Sequence, residues 1–202
     1  MEVTRDPISR ECRHDFAAYH HSGDRRPASI RYIVLHSTEG DTAKDAASWF
    51  QNPNSGGSAN LVVDDNTCYQ TLRDDVIPWG APPLNTHGFH IEQAGYARWS
   101  RAEWLKHEGT IERAAFKAAL RVKWYKIRPV VLDVEALKQD FGPDLGNGAI
   151  PVNPGGLNGG IVTHHTVSDA YKLSDHTDPG TGYPIDVFMT HLAHYLDPGN
   201  HV

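Results

Sequence analysis

Three histidines and an aspartate crowd one short stretch near the end of the chain. They lie in His164-His165-Thr166-Val167-Ser168 and Asp175-His176-Thr177-Asp178-Pro179-Gly180. Another histidine, His36, ends the apolar run Tyr32-Ile33-Val34-Leu35 far upstream. Imidazole nitrogens and a carboxylate oxygen are zinc ligands, and a catalytic zinc takes three of them and leaves its fourth position to water. His36, Asp178 and one member of the His164-His165 pair would make such a set. Adjacent residues of a strand point to opposite faces, so only one of the pair serves a common site. The residues themselves leave open which. His176 lies two positions before Asp178 and within reach of the same place.

The rest of the composition bounds the setting. A chain of 202 residues with 39% hydrophobic residues has the size of one compact domain with a real core. Its net charge of -6 excludes a broad basic face, so nucleic acid is not an expected partner. Thirteen histidines are an unusual number and point toward metal chemistry. No apolar run is long enough for a membrane span, so no membrane insertion is expected. Cys12 and Cys68 are too few for a disulfide framework and lack C-x-x-C spacing, which reads as two free thiols.

Periodicity then supplies the elements that must hold these residues. Residues 1–29 are polar and without a period, an N-terminal extension packed on a domain over 30–202. A strand is expected over 30–36, ending at His36. Asp41 caps a helix over Thr42–Gln51, with Ala46, Ala47, Trp49 and Phe50 as its apolar face. Two strands, about 58–64 and 67–72, flank a turn at Asp64-Asp65-Asn66-Thr67. Gly88–Gln93 is a short strand on which His90 and Glu92 share a face. Thr110–Ile127 is the strongest helical stripe, stopped by Pro129. A shorter helix covers Val134–Gln139, a Gly/Pro/Asn-rich loop covers 141–160, a strand covers Gly160–His165, and a last helix covers 185–196. Strands interleaved with helices, plus one hairpin, give an α/β class with a mixed central sheet flanked by helices.

The motifs Ile33-Val34-Leu35-His36-Ser37-Thr38, His90-Ile91-Glu92, Ile161-Val162-Thr163-His164-His165 and His176-Thr177-Asp178-Pro179-Gly180, in this order, resemble the type 2 N-acetylmuramoyl-L-alanine amidases. That superfamily includes peptidoglycan recognition proteins and amidase-type phage lysozymes. The resemblance covers about residues 30–196. It implies a single Zn²⁺ on His36, His165 and Asp178, with His165 preferred because the family's Gly-His dipeptide aligns on His164-His165. It implies Glu92 as the catalytic glutamate and His176 in the place of a basic residue that is often lysine. Three departures stand out: Ala59-Asn60 where many members have Tyr or His, Trp79-Gly80 where many have Trp-His, and His90 where a small residue is usual. The interval from His165 to Asp178 is also longer than in compact members.

The activity so implied is hydrolysis of the amide between N-acetylmuramic acid and L-alanine in peptidoglycan. Glu92 would take the proton of the attacking water and His176 would stabilise the oxyanion. Two alternatives share the motifs: a non-catalytic peptidoglycan-binding module, and a zinc peptidase cutting within the stem peptide. Trp79, Trp99 and Trp104 are candidates for stacking on sugar, and the 141–160 loop for a groove wall. The polar N-terminus lacks the apolar region of a signal peptide. The expectation is therefore a monomer made in a host cytoplasm that acts at the cell wall after release, as a phage endolysin catalytic domain does.

Overall fold

The computed structural model describes residues 12–143, 153 and 156–199. Among these residues five strands form one sheet: β1 (Tyr32–Ser37), β2 (Leu61–Val63), β3 (Cys68–Gln70), β4 (Gly88–Gln93) and β5 (Gly160–Thr163). Their spatial order is β3-β2-β4-β1-β5. β2, β4, β1 and β5 run parallel, and β3 is antiparallel to β2 across the expected turn. This is the expected mixed α/β sheet, and β4 has the expected bounds.

Among the described residues the α-helices are α1 (Ala43–Trp49), α2 (Arg101–Trp104), α3 (Glu108–Tyr125), α4 (Val134–Phe141), α5 (His164–Tyr171) and α6 (Ile185–Leu196). Residues alternate across the sheet as a period of two requires. Ile33, Leu35, Phe89, Ile91 and Ile161 pack against Trp104 of α2, Ile111 and Ala115 of α3, and Phe188 and Leu192 of α6. Tyr32, Val34 and Val162 face the other way, onto Leu137 and Phe141 of α4 and Val167 and Ala170 of α5. On that second face α1 lays Ala43 and Ala47 over Val62 and Tyr69.

Helix ends follow local chemistry. Thr42, not Asp41, caps α1: its side chain accepts from the Asp45 amide. α3 stops at Tyr125 because Lys126 turns left-handed at φ 55°, before Pro129 is reached. Thr163 caps α5 by accepting from the Thr166 amide, so the last strand ends at Thr163 and both His164 and His165 are helical. The expected strand over Gly160–His165 is thereby shortened.

The chain before β1 is tied down along the sheet edge. The Arg13 amide donates to the Cys68 carbonyl at 2.8 Å, and the Ala18 amide to Thr71 at 3.0 Å. The expectation of free thiols is corrected: Cys12 and Cys68 form a disulfide, with Cα atoms 4.6 Å apart. The two lie far apart in sequence, but the N-terminal segment runs beside β3 and brings them together. Further on, the buried Arg25 guanidinium donates to the carbonyls of Asp74 and Gly88 at 2.8 and 2.6 Å.

Candidate active site

The parallel register decides which side chains meet. Across β1 and β4, Val34 stands beside His90 and His36 beside Glu92. Across β1 and β5, Leu35 stands beside Thr163, so the next residue, His164, falls beside His36. Glu92, His36 and His164 thus sit at the carboxyl ends of three neighbouring strands, where open α/β sheets place their ligands. All lie on the face of Tyr32 and Val34.

Asp178 arrives from the loop after α5. The His165 amide donates to its backbone carbonyl at 2.9 Å, and the Ser37 amide approaches its Oδ2 at 3.4 Å. The following turn fits only with Gly180, which has φ 91° and whose missing Cβ would run into the Ala97 carbonyl. So held, the buried Asp178 meets three imidazoles. His36 Nδ1 lies 3.1 Å from Oδ2, His164 Nδ1 3.2 Å from Oδ1, and His176 Nδ1 3.4 Å from Oδ1.

One expected ligand lies apart from the others. His165 does not join this cluster. Its imidazole turns along α5 to Asp169, 3.2 Å away, and is one-third exposed. Because the strand gives way to a helix after Thr163, His164 continues the alternation that began with Val162, and His165 contributes only its main chain. His36, His164 and Asp178 each offer a ligand atom, all within 4.8 Å of one another. Among the described residues no other cluster of three or more His, Cys, Asp or Glu side chains has this spacing. The fit to a zinc ion is chemical as well as spatial. Two nitrogens and one oxygen are a zinc donor set, and the buried Asp178 Oδ1 stands among imidazole nitrogens, 3.2 Å from His164 and 3.4 Å from His176.

The electrostatics are correspondingly strained. Burial works against the charged form of Asp178, but hydrogen bonds from His164, His176 and His36 outweigh it and hold the carboxyl far below its usual range. Burial likewise opposes protonation of His36, yet Asp178 and the charge of Glu92 lift it above the ordinary imidazole value. Burial lowers His164 to about 4. Asp178 raises His176, which stacks on His164 with ring centres 4.3 Å apart. Glu92 is pushed up to about 7, chiefly by burial, and its Oε2 is buried without a hydrogen-bond partner among the described residues. A carboxyl poised near neutrality beside a cation site has the properties of a general base.

His90 is the residue whose part the sequence did not disclose. It is fully buried, and its Nδ1 lies 3.0 Å from His36 Nε2. Burial, with His36 and Arg25 nearby, holds it well below the usual imidazole value. Two of the departures noted in the sequence meet here, since a Cβ on Gly80 would collide with the His90 ring.

A groove of about 560 Å³ opens over the cluster. Glu92, His36, His164, His176 and Asp178 line its floor, with α1 and residues 55–58 on one side and Trp79-Gly80 on another. Of the three tryptophans expected near substrate, Trp79 is at the groove and 43% exposed. Trp104 is fully buried in the core, and Trp99 stacks on His107. Trp49, read as part of an apolar helix face, is half exposed and lines the groove instead. Of the 141–160 loop, 144–152 and 154–155 lie outside the described residues, as do residues 1–11 of the N-terminal extension.

Solved structures share this fold. The structure of the Staphylococcus aureus hydrolase AmiA in complex with its ligand superposes with a TM-score of 0.65 at 20% identity, covering 92% of this chain and 83% of that one. The catalytic domain of XlyA gives 0.54 at 18% identity, with 89% and 97% coverage. A mutant endolysin from Bacillus subtilis gives 0.55 at 17% identity, with 89% and 96% coverage. A search of curated proteins finds no match. Residues 25–181 match the family described as N-acetylmuramoyl-L-alanine amidase, and the chain belongs to that family of peptidoglycan-cleaving hydrolases.

Proposed function

We propose that this amidase is zinc-dependent, that it cleaves the bond between the lactyl group of N-acetylmuramic acid and L-alanine of the stem peptide, and that it lyses cell walls as a phage endolysin does. The observation that carries the reading is the convergence of His36, His164 and Asp178 within 4.8 Å, with Glu92 in the same groove. These three residues would hold the metal. When bound, zinc supplies Lewis-acid polarisation of the scissile carbonyl and lowers the pKa of a water molecule.

The chain's own residues do the rest. Glu92 accepts the proton of the attacking water and delivers it to the departing alanine nitrogen, for which a value near 7 suits both transfers. His176, whose charged form Asp178 favours and which is exposed at the groove edge, donates to the developing oxyanion. The groove walls at Trp49 and Trp79 supply flat apolar surface against which a sugar or peptide backbone rests.

Digestion of a defined muropeptide tests the reading. Mass analysis should find an intact stem peptide with a free L-alanine amino terminus and a peptide-free muramic acid sugar. Chelation should abolish that product and zinc should restore it. Cleavage inside the stem peptide would instead identify a peptidase. Zinc binding without any cleavage would identify a recognition module.

A further inference from the structure

We propose that His90 is a positioning residue for the metal site, fixing which nitrogen of His36 faces the metal; the proposal rests on reading His36 as a ligand. His36 has two ring nitrogens and only one can take a cation. Its Nδ1 is directed at Asp178, 3.1 Å away, and its Nε2 at His90 Nδ1, 3.0 Å away. An Nε2–H donated to His90 Nδ1 leaves the Nδ1 lone pair of His36 on the side of Asp178 and His164. The second nitrogen of a metal-binding histidine needs such a partner to set its tautomer and ring orientation.

The surroundings are shaped around this contact. The His90 ring is wholly buried and stacks on His36 with centroids 5.2 Å apart. Its backbone is pinned on both sides by Asn60: the His90 amide donates to Asn60 Oδ1 at 3.0 Å, and the Asn60 amide to the His90 carbonyl at 3.1 Å. Two glycines make room for the ring. A Cβ on Gly80 would collide with His90 Nδ1, and one on Gly88 would lie 2.6 Å from Nε2. The nitrogen that meets His36 is therefore the one that Gly80 uncovers. Among the described residues the buried Nε2 has no hydrogen-bond partner, and the one hydrogen bond of this ring is to His36.

Three variants separate positioning from bulk packing. His90→Phe keeps a ring but cannot accept a hydrogen bond; His90→Gln keeps an acceptor; Gly80→Ala leaves His90 in place but crowds its ring. Competition with a chelator should find zinc affinity about 10–100-fold weaker in His90→Phe and Gly80→Ala, and largely restored in His90→Gln. In the metal-free protein, nitrogen NMR of His36 should find an exchange-protected Nε2 proton that His90→Phe loses. If His90→Phe does not fold, Gly80→Ala against His90→Gln carries the same contrast. Parent-like zinc affinity in both His90→Phe and Gly80→Ala, or an unprotected His36 Nε2 in the parent, would overturn the proposal. A parent that keeps the protected proton but takes up no zinc would instead count against the metal reading itself.

Discussion

The two faces of the central sheet are built from the same strands yet hold opposite chemistry. On the face covered by α3 and α6, Ile33, Leu35, Phe89 and Ile91 lie in an apolar layer with Ile111, Phe188 and Leu192. On the other face the same strands begin apolar, with Tyr32 and Val34, and end in His36, His90 and Glu92. Burial on the first face removes apolar area from water and stabilises the fold. Burial on the second leaves Glu92 Oε2 and His90 Nε2 without partners among the described residues. Such atoms each cost stability and persist where a function uses them. Labour is divided across one layer: the first face holds the strands, so that the second can hold unpaired polar groups at fixed positions.

Substitutions on either face should therefore move different observables. The largest effect belongs to the polar face. Glu92→Gln should retain zinc and melt at or above the parent temperature, because it removes a buried ionisable group, while turnover on muropeptide falls about 10²–10⁴-fold. A variant with parent turnover would remove Glu92 as the base. Next comes the apolar face. Phe188→Ala should cost about 3–5 kcal/mol of stability by opening a cavity under β1 and β4, measured by denaturant unfolding. Its zinc affinity at low denaturant should stay that of the parent. A matched loss of zinc would show that the two faces are not separable.

The smallest effect is a pH dependence. Glu92 acts as a carboxylate, and burial raises its value to about 7, so the active form is lost as pH falls through that value. His176 acts as a cation, and Asp178 raises its value, so the active form is lost as pH climbs past it. On a soluble muropeptide kcat/KM should then fall on both sides of neutrality, approaching tenfold per unit on the acid side. A flat profile between about pH 5 and 7 would contradict the role given to Glu92.

Much of the apolar framework was legible in the sequence, since alternation and helical period report faces directly. β4 and α6 have the bounds that their patterns imply. Period says nothing of register between strands, however, and register is what sets His36 beside His164. The resemblance placed the second ligand on His165 by aligning a dipeptide. The structure turns His164 rather than His165 toward His36 because Thr163 caps a helix there, a signal present in the Thr163-x-x-Thr166 pair. The Cys12–Cys68 bond was missed for a similar reason: nothing local says that residue 13 will run beside β3. Trp49 and Trp104 differ only in which side of their helices meets the sheet, and composition treats them alike.

If a metal sits on His36, His164 and Asp178, the two adjacent histidines must differ in what they hold. His164→Ala and His165→Ala, purified in parallel and measured for bound zinc, should part completely. The account predicts near-stoichiometric zinc and retained activity in His165→Ala, and loss of both in a folded His164→Ala. Zinc lost from His165→Ala but kept by His164→Ala, or kept by both, would contradict it.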